Sequence, residues 1–371
     1  MSVFLVHTDP PDGDGPTVAV KDLIDMAGLP TTCASRPVAE RARPAAVDAS
    51  CVAAVRANGG RIVGKTNLHE LAFGGTGINE FTGTPINPLD PDRIPGGSSS
   101  GSVVAVATGQ ADIALGTDTG GSVRTPSACC GTVGLKPTYG RIPLDGVHPL
   151  APTLDVVGPM ATTVAGVATG MALLETGFVP ADAPATRIGR FRLPGTHPDI
   201  EVAIDAALQR VGIPCREVAL PGWQRAYDAS TVIAFVEALE VNADLVRDHA
   251  DELTPAVRAR FERSATFTAD DVRDARSFVA PWRGELDAAL ARTPIIAMTG
   301  ILDEPPPLSD PLRLDTRMPN VPLNLSGHPA IVLPIERPDH LPTSLQLFGR
   351  IGDDELVVAT AAAIERTIRR R

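Results

Sequence analysis

Two serines lie in glycine-rich segments that could present a nucleophile. Ser98 stands in PGGSSSGS at 95–102, and Ser122 stands in GTDTGGSVRTPS at 116–127, 24 residues further along the chain. A serine hydroxyl is a weak nucleophile until a base takes its proton. These segments therefore predict attack on a carbonyl only if another part of the chain supplies a base.

The strongest candidate for that base is Lys21, which lies 77 residues before Ser98. It ends the apolar run VAV, and burial in such a run disfavours the ammonium form. Burial can lower the pKa of a lysine by up to about 3–5 units. None of the seven histidines stands in a recognisable catalytic context, and His69 in NLHELAFG comes nearest.

The glycine turn that contains Ser122 is suited to binding an oxyanion. Thr119, Gly120, Gly121 and Ser122 follow an apolar segment, and a glycine turn after a strand lets backbone N–H groups converge on one point. These amides would bind the charge that forms when Ser122 attacks a carbonyl. Removing one donor from such a hole costs about 10²–10³ in rate.

The segments that carry these residues are predicted to be strands and helices in alternation. Residues 17–23 and 61–65 predict buried strands, and residues 46–58 predict a helix that ends at a Gly-Gly pair. This order is typical of a crossover between parallel strands. Residues 111–123 predict an apolar strand that runs into the glycine turn.

The rest of the chain shows two further patterns. Residues 74–102 are rich in Gly, Pro, Asn, Ser and Thr, and a long coil of this kind in a compact chain is usually functional. Residues 200–290 carry apolar residues at helical spacing with charges between them. Helical spacing is also seen at 160–176. Strands are predicted at 293–300, 329–335 and 344–350, before a closing helix.

Together the segments around Lys21, Ser98 and Ser122 resemble the amidase signature family, whose members use a Ser–cis-Ser–Lys triad. Each glycine motif alone is weak, but collinear segments at the family spacing are specific. The similarity covers most of the chain, with 180–300 only loosely matched. Further similar segments are CGTVGLKPTYGRIP at 130–143, PLAPTLDVVGPMA at 149–161, NLSGHPAIVLP at 324–334 and SLQLFGR at 344–350.

The resemblance implies a role for each matched residue of the triad. Lys21 matches the family lysine, Ser98 matches the bridging serine that the family holds in a cis peptide, and Ser122 matches the nucleophile. Neutral Lys21 would accept a proton from Ser98, and Ser98 one from Ser122, which attacks the amide carbonyl. The leaving amine would collect the proton through the same relay, and water would then hydrolyse the acyl-enzyme.

The resemblance also implies supporting residues and a fold. Ser99, Asp118 and Arg124 match positions that hold the family loops together, and Gly96 and Gly97 are candidates for substrate contacts. The implied fold is one α/β domain over the whole chain, with a central mixed, twisted sheet covered by helices on both faces. The glycine-rich loops would lie at one sheet edge. No cofactor and no metal are implied.

Two regions depart from the family pattern. The family lysine usually follows a substantial helical N-terminal segment, whereas Lys21 has only twenty residues before it. Residues 180–300, expected to be a mostly helical variable region that covers the active site, are also short. Both regions shape substrate entry and subunit contacts in the family. The resemblance therefore leaves the pocket cover and a possible homodimer interface open, and such a trimmed chain could be less stable or more open.

The sequence alone also leaves simpler interpretations of the same residues open. GGSSSGS is also typical of a flexible linker or a phosphate cradle, although it lacks the Lys-Ser/Thr ending of a P-loop. Lys21 and Asp22 could form a surface ion pair. Cys130 is favoured as a small core residue over a nucleophile. His69 and Glu70 are favoured as structural, because HELAF lacks the second histidine of a zinc motif.

Composition argues against several classes of protein. The formal net charge of -11 argues against nucleic acid as the main partner. Five cysteines without a CxxC pair argue against a disulfide framework or a zinc site. No secretory signal and no apolar run of membrane-spanning length is visible. We therefore expect a cytoplasmic protein with a small-molecule amide as its substrate and no membrane partner.

Three functions compete at this point. The leading hypothesis is hydrolysis of the C–N bond of a small carboxamide, giving a carboxylate and ammonia or an amine through an acyl-enzyme on Ser122. The second is a glutaminase-type amidotransferase component that acts in a complex, similar to the glutaminase chain that works on glutamyl-tRNA; the short length and acidic charge count against it. The third is a catalytically inactive binding homologue, which the complete triad argues against.

Overall fold

The computed structural model describes residues 2–313 and 315–369, and a single sheet runs through them. The strands are β1 Phe4–His7, β2 Thr17–Lys21, β3 Arg61–Thr66, β4 Ile113–Thr117, β5 Val133–Lys136, β6 Val157–Ala161, β7 Ile188–Arg190, β8 Cys215–Glu217, β9 Ile295–Thr299, β10 Ala330–Ile335 and β11 Thr343–Gly349. Their spatial order is β1-β3-β2-β4-β6-β5-β10-β11-β9-β7-β8.

The helices fill the connections between these strands. They are α1 Arg36–Ala39, α2 Ser50–Ala57, α3 Ser100–Ala107, α4 Arg124–Cys130, α5 Val164–Leu174, α6 Pro198–Val211, α7 Trp223–Val241, α8 Ala243–His249, α9 Pro255–Ser264, α10 Ala269–Leu290, α11 Val321–Ser326 and α12 Asp354–Arg369. Single 3₁₀ turns occur at Glu70–Ala72 and Ala250–Glu252. In the described part of the chain, no helix combines the length and apolar character that a membrane span needs.

The sheet is mixed, as the family resemblance implies. β2 pairs in parallel with β3 and β4, and β7 pairs in parallel with β8 and β9. The remaining pairs are antiparallel. The predicted crossover is present as β2-α2-β3. Helix α2 begins at Ser50 and not at residue 46, because residues 44 and 45 form isolated bridges with the loop after β2.

Helices cover both faces of the sheet, because alternate side chains of each strand pack against helices on opposite faces. Successive side chains of a strand point to opposite faces. In β2, Val18 and Val20 join the apolar cluster formed with α2, α5, α6 and α12, whereas Ala19 joins a cluster with α3 and α4 on the other face. Lys21 has the same parity as Ala19. The alternation therefore directs its amine towards the face on which α3 and α4 begin. This arrangement confirms the predicted fold class.

The helix predicted at 160–176 begins later than its spacing indicates. Residues 160–176 carry helical spacing, but the helix begins at Val164, since Val157–Ala161 pairs as β6 between β4 and β5. The side chain of Thr163 accepts a hydrogen bond from the Gly166 amide and caps the helix at that point. The predicted long coil at 74–102 lasts until α3 begins at Ser100.

Candidate active site

Lys21 and Ser98 are in direct contact inside the protein. Lys21 ends β2, and its Nζ lies 2.7 Å from Ser98 Oγ and 2.8 Å from Thr117 Oγ1 at the end of β4. Both Lys21 and Ser98 are fully buried, and the Gly97–Ser98 peptide bond is cis. A flexible linker at 95–102 and a solvated lysine are therefore both excluded. Asp22 pairs with Lys65 at 2.7 Å, so it forms no ion pair with Lys21.

Burial changes the protonation of this lysine. It lowers the pKa of Lys21 to about 7, against the opposing effect of Asp118, Asp155 and Cys33. Desolvation disfavours the ammonium because the charged form loses more hydration than the neutral amine. Burial thus makes the neutral amine accessible near neutral pH, and a neutral amine can accept a proton from a hydroxyl at 2.7 Å.

Ser122 opens onto a cleft on the same face of the sheet. Its neighbour in the other loop, Ser99, donates its backbone N–H to the Ser122 carbonyl at 3.2 Å, which ties the two glycine-rich segments together. Among residues 2–313 and 315–369, no hydrogen bond joins Ser98 Oγ to Ser122 Oγ. Contacts of this kind commonly tighten only when substrate binds.

We call the space beside Ser122 the Ser122 cleft. Its empty volume is about 460 Å³ including the mouth. The turn Thr119–Ser122, which we call the nucleophile turn after the predicted role of Ser122, forms one side. Helices α7 and α9, the segment 72–74, Leu150 and the chain that leads into α11 form the others. The lining residues are Ala72, Phe73, Gly74, Thr119, Gly120, Ser122, Leu150, Ser230, Thr231, Ala234, Phe235, Arg260, Arg317 and Val321.

A buried ion pair fixes the nucleophile turn. Arg124 and Asp118 are fully buried, and the guanidinium donates to both carboxylate oxygens, at 2.9 and 3.0 Å. Arg124 also donates to Asn324 Oδ1 at 2.7 Å and to Gln346 Oε1 at 2.9 Å. Burial alone would raise the pKa of Asp118, but Arg124 outweighs it and holds that pKa well below its usual range. The turn is therefore anchored to β11 and α11.

Breaking this pair should destabilise the whole domain. In Arg124→Met the Asp118 carboxylate is left buried without its cation, and we expect the free energy of unfolding to fall by about 3–5 kcal/mol. Urea unfolding followed by circular dichroism measures the change. Arg273→Met, which removes an exposed partner of Asp270 on α10, is the matched control and should leave the midpoint unchanged. A loss below about 1 kcal/mol in Arg124→Met would contradict the anchoring role.

The same carboxylate pairs with one of the four predicted oxyanion donors. The Gly121 N–H donates to Asp118 Oδ1 at 2.8 Å, so this amide is already paired. Gly121 has φ +105, and a Cβ there would lie 2.6 Å from Asn320 Cβ, so the turn requires glycine for conformation and packing. Within the described residues, the amides of Thr119, Gly120 and Ser122 make no hydrogen bond. They remain the candidate donors.

Comparison with known proteins bears directly on this geometry. The model of the family described as Amidase matches residues 14–358. This span includes Lys21, Ser98 and Ser122 together with every strand except β1.

The chain belongs to the amidase family.

Individual relatives of this amidase-family chain agree in sequence and in fold. The A subunit of glutamyl-tRNA(Gln) amidotransferase from Halobacterium salinarum is 35% identical, with 95% of each chain covered. A solved structure described as an amidase has a TM-score of 0.88 at 30% identity and covers 95% of this chain and 84% of its own. The structure of the corresponding A subunit from Thermotoga maritima has a TM-score of 0.86 at 28% identity, covering 99% and 87%.

In this family member, Gly96 and Gly97 do not line the Ser122 cleft. The Gly97 N–H donates to the Gly75 carbonyl at 2.8 Å, and a Cβ on Gly97 would lie 2.6 Å from the Gly77 nitrogen. Gly96 packs in the same way against Cys129, whose Sγ would be 2.9 Å from an added Cβ. Close backbone packing therefore requires glycine at both positions, and a substrate contact at Gly96 or Gly97 stays a prediction.

The two residues of the His69–Glu70 motif lie in structural surroundings. Glu70 is buried and accepts hydrogen bonds from Ser35 Oγ at 2.8 Å and from the Thr254 amide at 2.9 Å. Thr254 precedes α9, so Glu70 fixes the start of that helix. Burial lowers the pKa of His69 to about 3, and Arg260 and Lys21 add to the effect, so the imidazole is neutral near pH 7.

The Cys130 thiol is a poor nucleophile in this environment. Burial raises its pKa well above the ordinary value, with Cys129 contributing. Its Sγ–H donates to the Pro95 carbonyl at 3.3 Å, and Cys130 is not among the lining residues of the Ser122 cleft. The structure thus favours the interpretation of Cys130 as a core residue.

Sequence reasoning did not identify Asp155 as a site residue. It lies in PLAPTLDVVGPMA, a segment singled out only for its resemblance. Asp155 accepts hydrogen bonds from the Thr119 hydroxyl and from the Leu150 and Ala151 amides. Burial raises its pKa to about 6 against the effect of these donors. Asp155 therefore holds the first residue of the nucleophile turn and lies near enough to Lys21 to influence its pKa.

Proposed function

We propose that this chain hydrolyses the C–N bond of a small carboxamide through an acyl-enzyme on Ser122. The observation that supports this most strongly is the fully buried Lys21 amine 2.7 Å from Ser98 Oγ, in a loop hydrogen-bonded to Ser122. Such burial has little structural benefit, because an apolar side chain of similar size would avoid the desolvation of the ammonium. A proton-accepting role explains why an amine is placed there.

The proposed reaction has two halves. In the first, Ser122 Oγ attacks the amide carbonyl while its proton passes to Ser98 and the proton of Ser98 passes to Lys21. The tetrahedral intermediate then expels the amine, which takes the proton back through Ser98. In the second half, water attacks the Ser122 ester by the same route and releases the carboxylate. The protons balance, and the enzyme returns to its starting state.

The negative charge of each intermediate requires donors that are already in place. The unpaired amides of Thr119, Gly120 and Ser122 supply them in this proposal. The Asp118–Arg124 pair fixes the turn through the Gly121 amide, and Asp155 holds the Thr119 side chain. Donors that do not reorganise during the reaction stabilise the transition state more than mobile ones.

A second candidate function is that of a glutaminase component that works in a complex. It is favoured by the relatives, which include A subunits of glutamyl-tRNA(Gln) amidotransferase that cover most of the chain. This function uses the same Ser122 chemistry, but the amide is glutamine and the ammonia passes to a partner. The two candidates therefore differ in substrate and in dependence on other chains.

Ammonia release by the purified chain tests both candidates. The assay compares simple aliphatic amides, aryl amides, amino-acid amides and glutamine at pH 8. Release from small amides without a partner chain supports the first function. Release from glutamine and from none of the other amides supports the second. If no amide yields ammonia and a fluorophosphonate fails to label Ser122, the chain is an inactive homologue and the proposal is wrong.

A further inference from the structure

Arg260 is a cation without an anionic partner in the Ser122 cleft. Its guanidinium makes no hydrogen bond and no ion pair within the described residues. Its carbon Cζ lies 5.6 Å from the ring centre of Phe73 and 5.7 Å from that of Phe235. Stacking on aromatic rings occupies the faces of a guanidinium and leaves its N–H edge available. Arg260 belongs to the lining of the cleft.

The neighbouring cation of the cleft is held differently. Arg317 donates to Asp315 at 3.2 Å and to the Tyr227 hydroxyl at 2.9 Å. Burial, together with the nearby Arg317 charge, lowers the pKa of Arg260 only to about 10, so Arg260 stays protonated at neutral pH. Asp315 also acts on Arg260 through its charge, but it pairs directly only with Arg317. One guanidinium therefore has a hydrogen-bonded anion, and the other has none among the described residues.

The remaining polar groups of the cleft point to the same kind of ligand. Ser230 is 1% exposed and lines the cleft, and its hydroxyl has no hydrogen-bond partner in the described chain. No aspartate or glutamate belongs to the described lining. A buried polar group without a partner is costly unless a ligand satisfies it. The cleft thus offers an unpaired guanidinium and an unpaired hydroxyl, and no carboxylate.

We infer that the substrate is an amide whose acyl chain carries a carboxylate and no ammonium group. The carboxylate would accept two hydrogen bonds from Arg260 and one from Ser230 while the carboxamide lies at Ser122. This inference rests on the proposed function and names its substrate class. An α-amino group would meet the unpaired Arg260 guanidinium, and no aspartate or glutamate belongs to the described lining, so free amino acids such as glutamine are disfavoured by charge repulsion.

The test is a matched series of amides in the ammonia-release assay. Succinamate, glutaramate and adipamate carry the carboxylate, and butanamide, pentanamide and hexanamide are the alkyl amides of equal length. For at least one length, kcat/KM for the carboxylate should exceed that of the alkyl amide by at least about 10-fold. Asparagine and glutamine should be at least about 10-fold poorer than succinamate and glutaramate.

Two arginine variants separate recognition from folding. Arg260→Gln should abolish the carboxylate preference, so that kcat/KM for the carboxylate amide falls to within about 3-fold of kcat/KM for the alkyl amide of equal length in the same variant. Arg263→Gln removes the same charge from the same helix, but Arg263 does not line the Ser122 cleft, so the preference should persist. If Arg260→Gln fails to fold, the inference is tested by the carboxylate preference of Ser230→Ala and by the kcat/KM ratios of the wild-type chain.

The inference is overturned if no chain length favours the carboxylate, if glutamine is better than glutaramate, or if a folded Arg260→Gln keeps the preference. Failure of the proposed function is distinguishable from failure of this inference, because in the former case no amide yields ammonia. In that event calorimetric binding of glutaramate and pentanamide still decides the inference. Tighter binding of glutaramate to the wild-type chain than to Arg260→Gln supports it, and equal binding of the two amides contradicts it.

Discussion

Replacing Ser122 with alanine is expected to lower kcat/KM for ammonia release by at least about 10⁴-fold, with the fold unchanged. The size follows from the chemistry, because the acyl-enzyme cannot form without Ser122 Oγ and water must attack the amide directly. What remains is the contribution of the amide donors and of substrate binding, which do not depend on the hydroxyl. Ammonia release under saturating and limiting substrate measures the change.

The control for Ser122→Ala is Ser127→Ala. Ser127 lies further along in α4, is fully buried and has no hydrogen-bond partner for its hydroxyl in the described chain. We expect its removal to leave kcat/KM within about 3-fold of wild type. Equal losses in the two variants would mean that the turn responds to any local change, and that Ser122 has no special chemical role.

The second large effect is expected at Lys21. Lys21→Met keeps an unbranched side chain that is one atom shorter and removes the proton acceptor, and kcat/KM should fall by about 10²–10⁴-fold. Only the neutral amine can act as a base, and the pKa of Lys21 is lowered by burial to about 7. For the wild type, kcat/KM should therefore rise with pH through about 7 and level off above it. Lys21→Met should lose this inflection.

Two further variants identify the group that titrates. Burial also lowers the pKa of Lys136 to about 7, but its Nζ donates to the Pro137 carbonyl at 2.8 Å and does not contact Ser98. Lys136→Met should therefore retain the inflection. Asp155 raises the pKa of Lys21 through its charge. Asp155→Asn should thus move the inflection to lower pH without removing it. An inflection lost in Lys136→Met but kept in Lys21→Met would contradict the assignment.

The sequence predicts the parts of this site that local pattern determines. The crossover from β2 through α2 to β3 follows from apolar strands and a helix that ends at a Gly-Gly pair. The position of Lys21 at the end of β2 and of the nucleophile turn after β4 follows from the same patterns. The glycine and serine composition at 95–102 also indicates a constrained loop, because apolar segments flank it.

Tertiary contacts decide the features that the sequence does not reveal. Arg260 belongs to the helical run PAVRARFERS, where arginines between apolar residues are typical of a solvated face. It becomes part of the cleft only because Phe73 and Phe235, from two distant segments, stack against it. No local signal distinguishes it from Arg258 or Arg263.

The oxyanion donors and the two glycines before Ser98 show the same limit. Sequence reasoning treats four successive amides as equivalent, but the Asp118 carboxylate selects the Gly121 amide and leaves its neighbours. The close packing of Gly97 depends on Gly75 and Gly77, some twenty residues upstream. The spacing of residues along the chain reveals neither the side-chain geometry that pairs Asp118 with Gly121 nor the packing of the 75–77 loop against Gly97.

Peptide mass spectrometry of the chain after reaction with a fluorophosphonate tests the central claim most directly, because the reagent bonds only to an activated hydroxyl. The account predicts one phosphonyl group on Ser122 in the wild type and greatly slowed labelling in Lys21→Met. No label should appear in Ser122→Ala. Labelling of a different residue, or amide turnover that persists while Ser122 stays unmodified, would contradict the account.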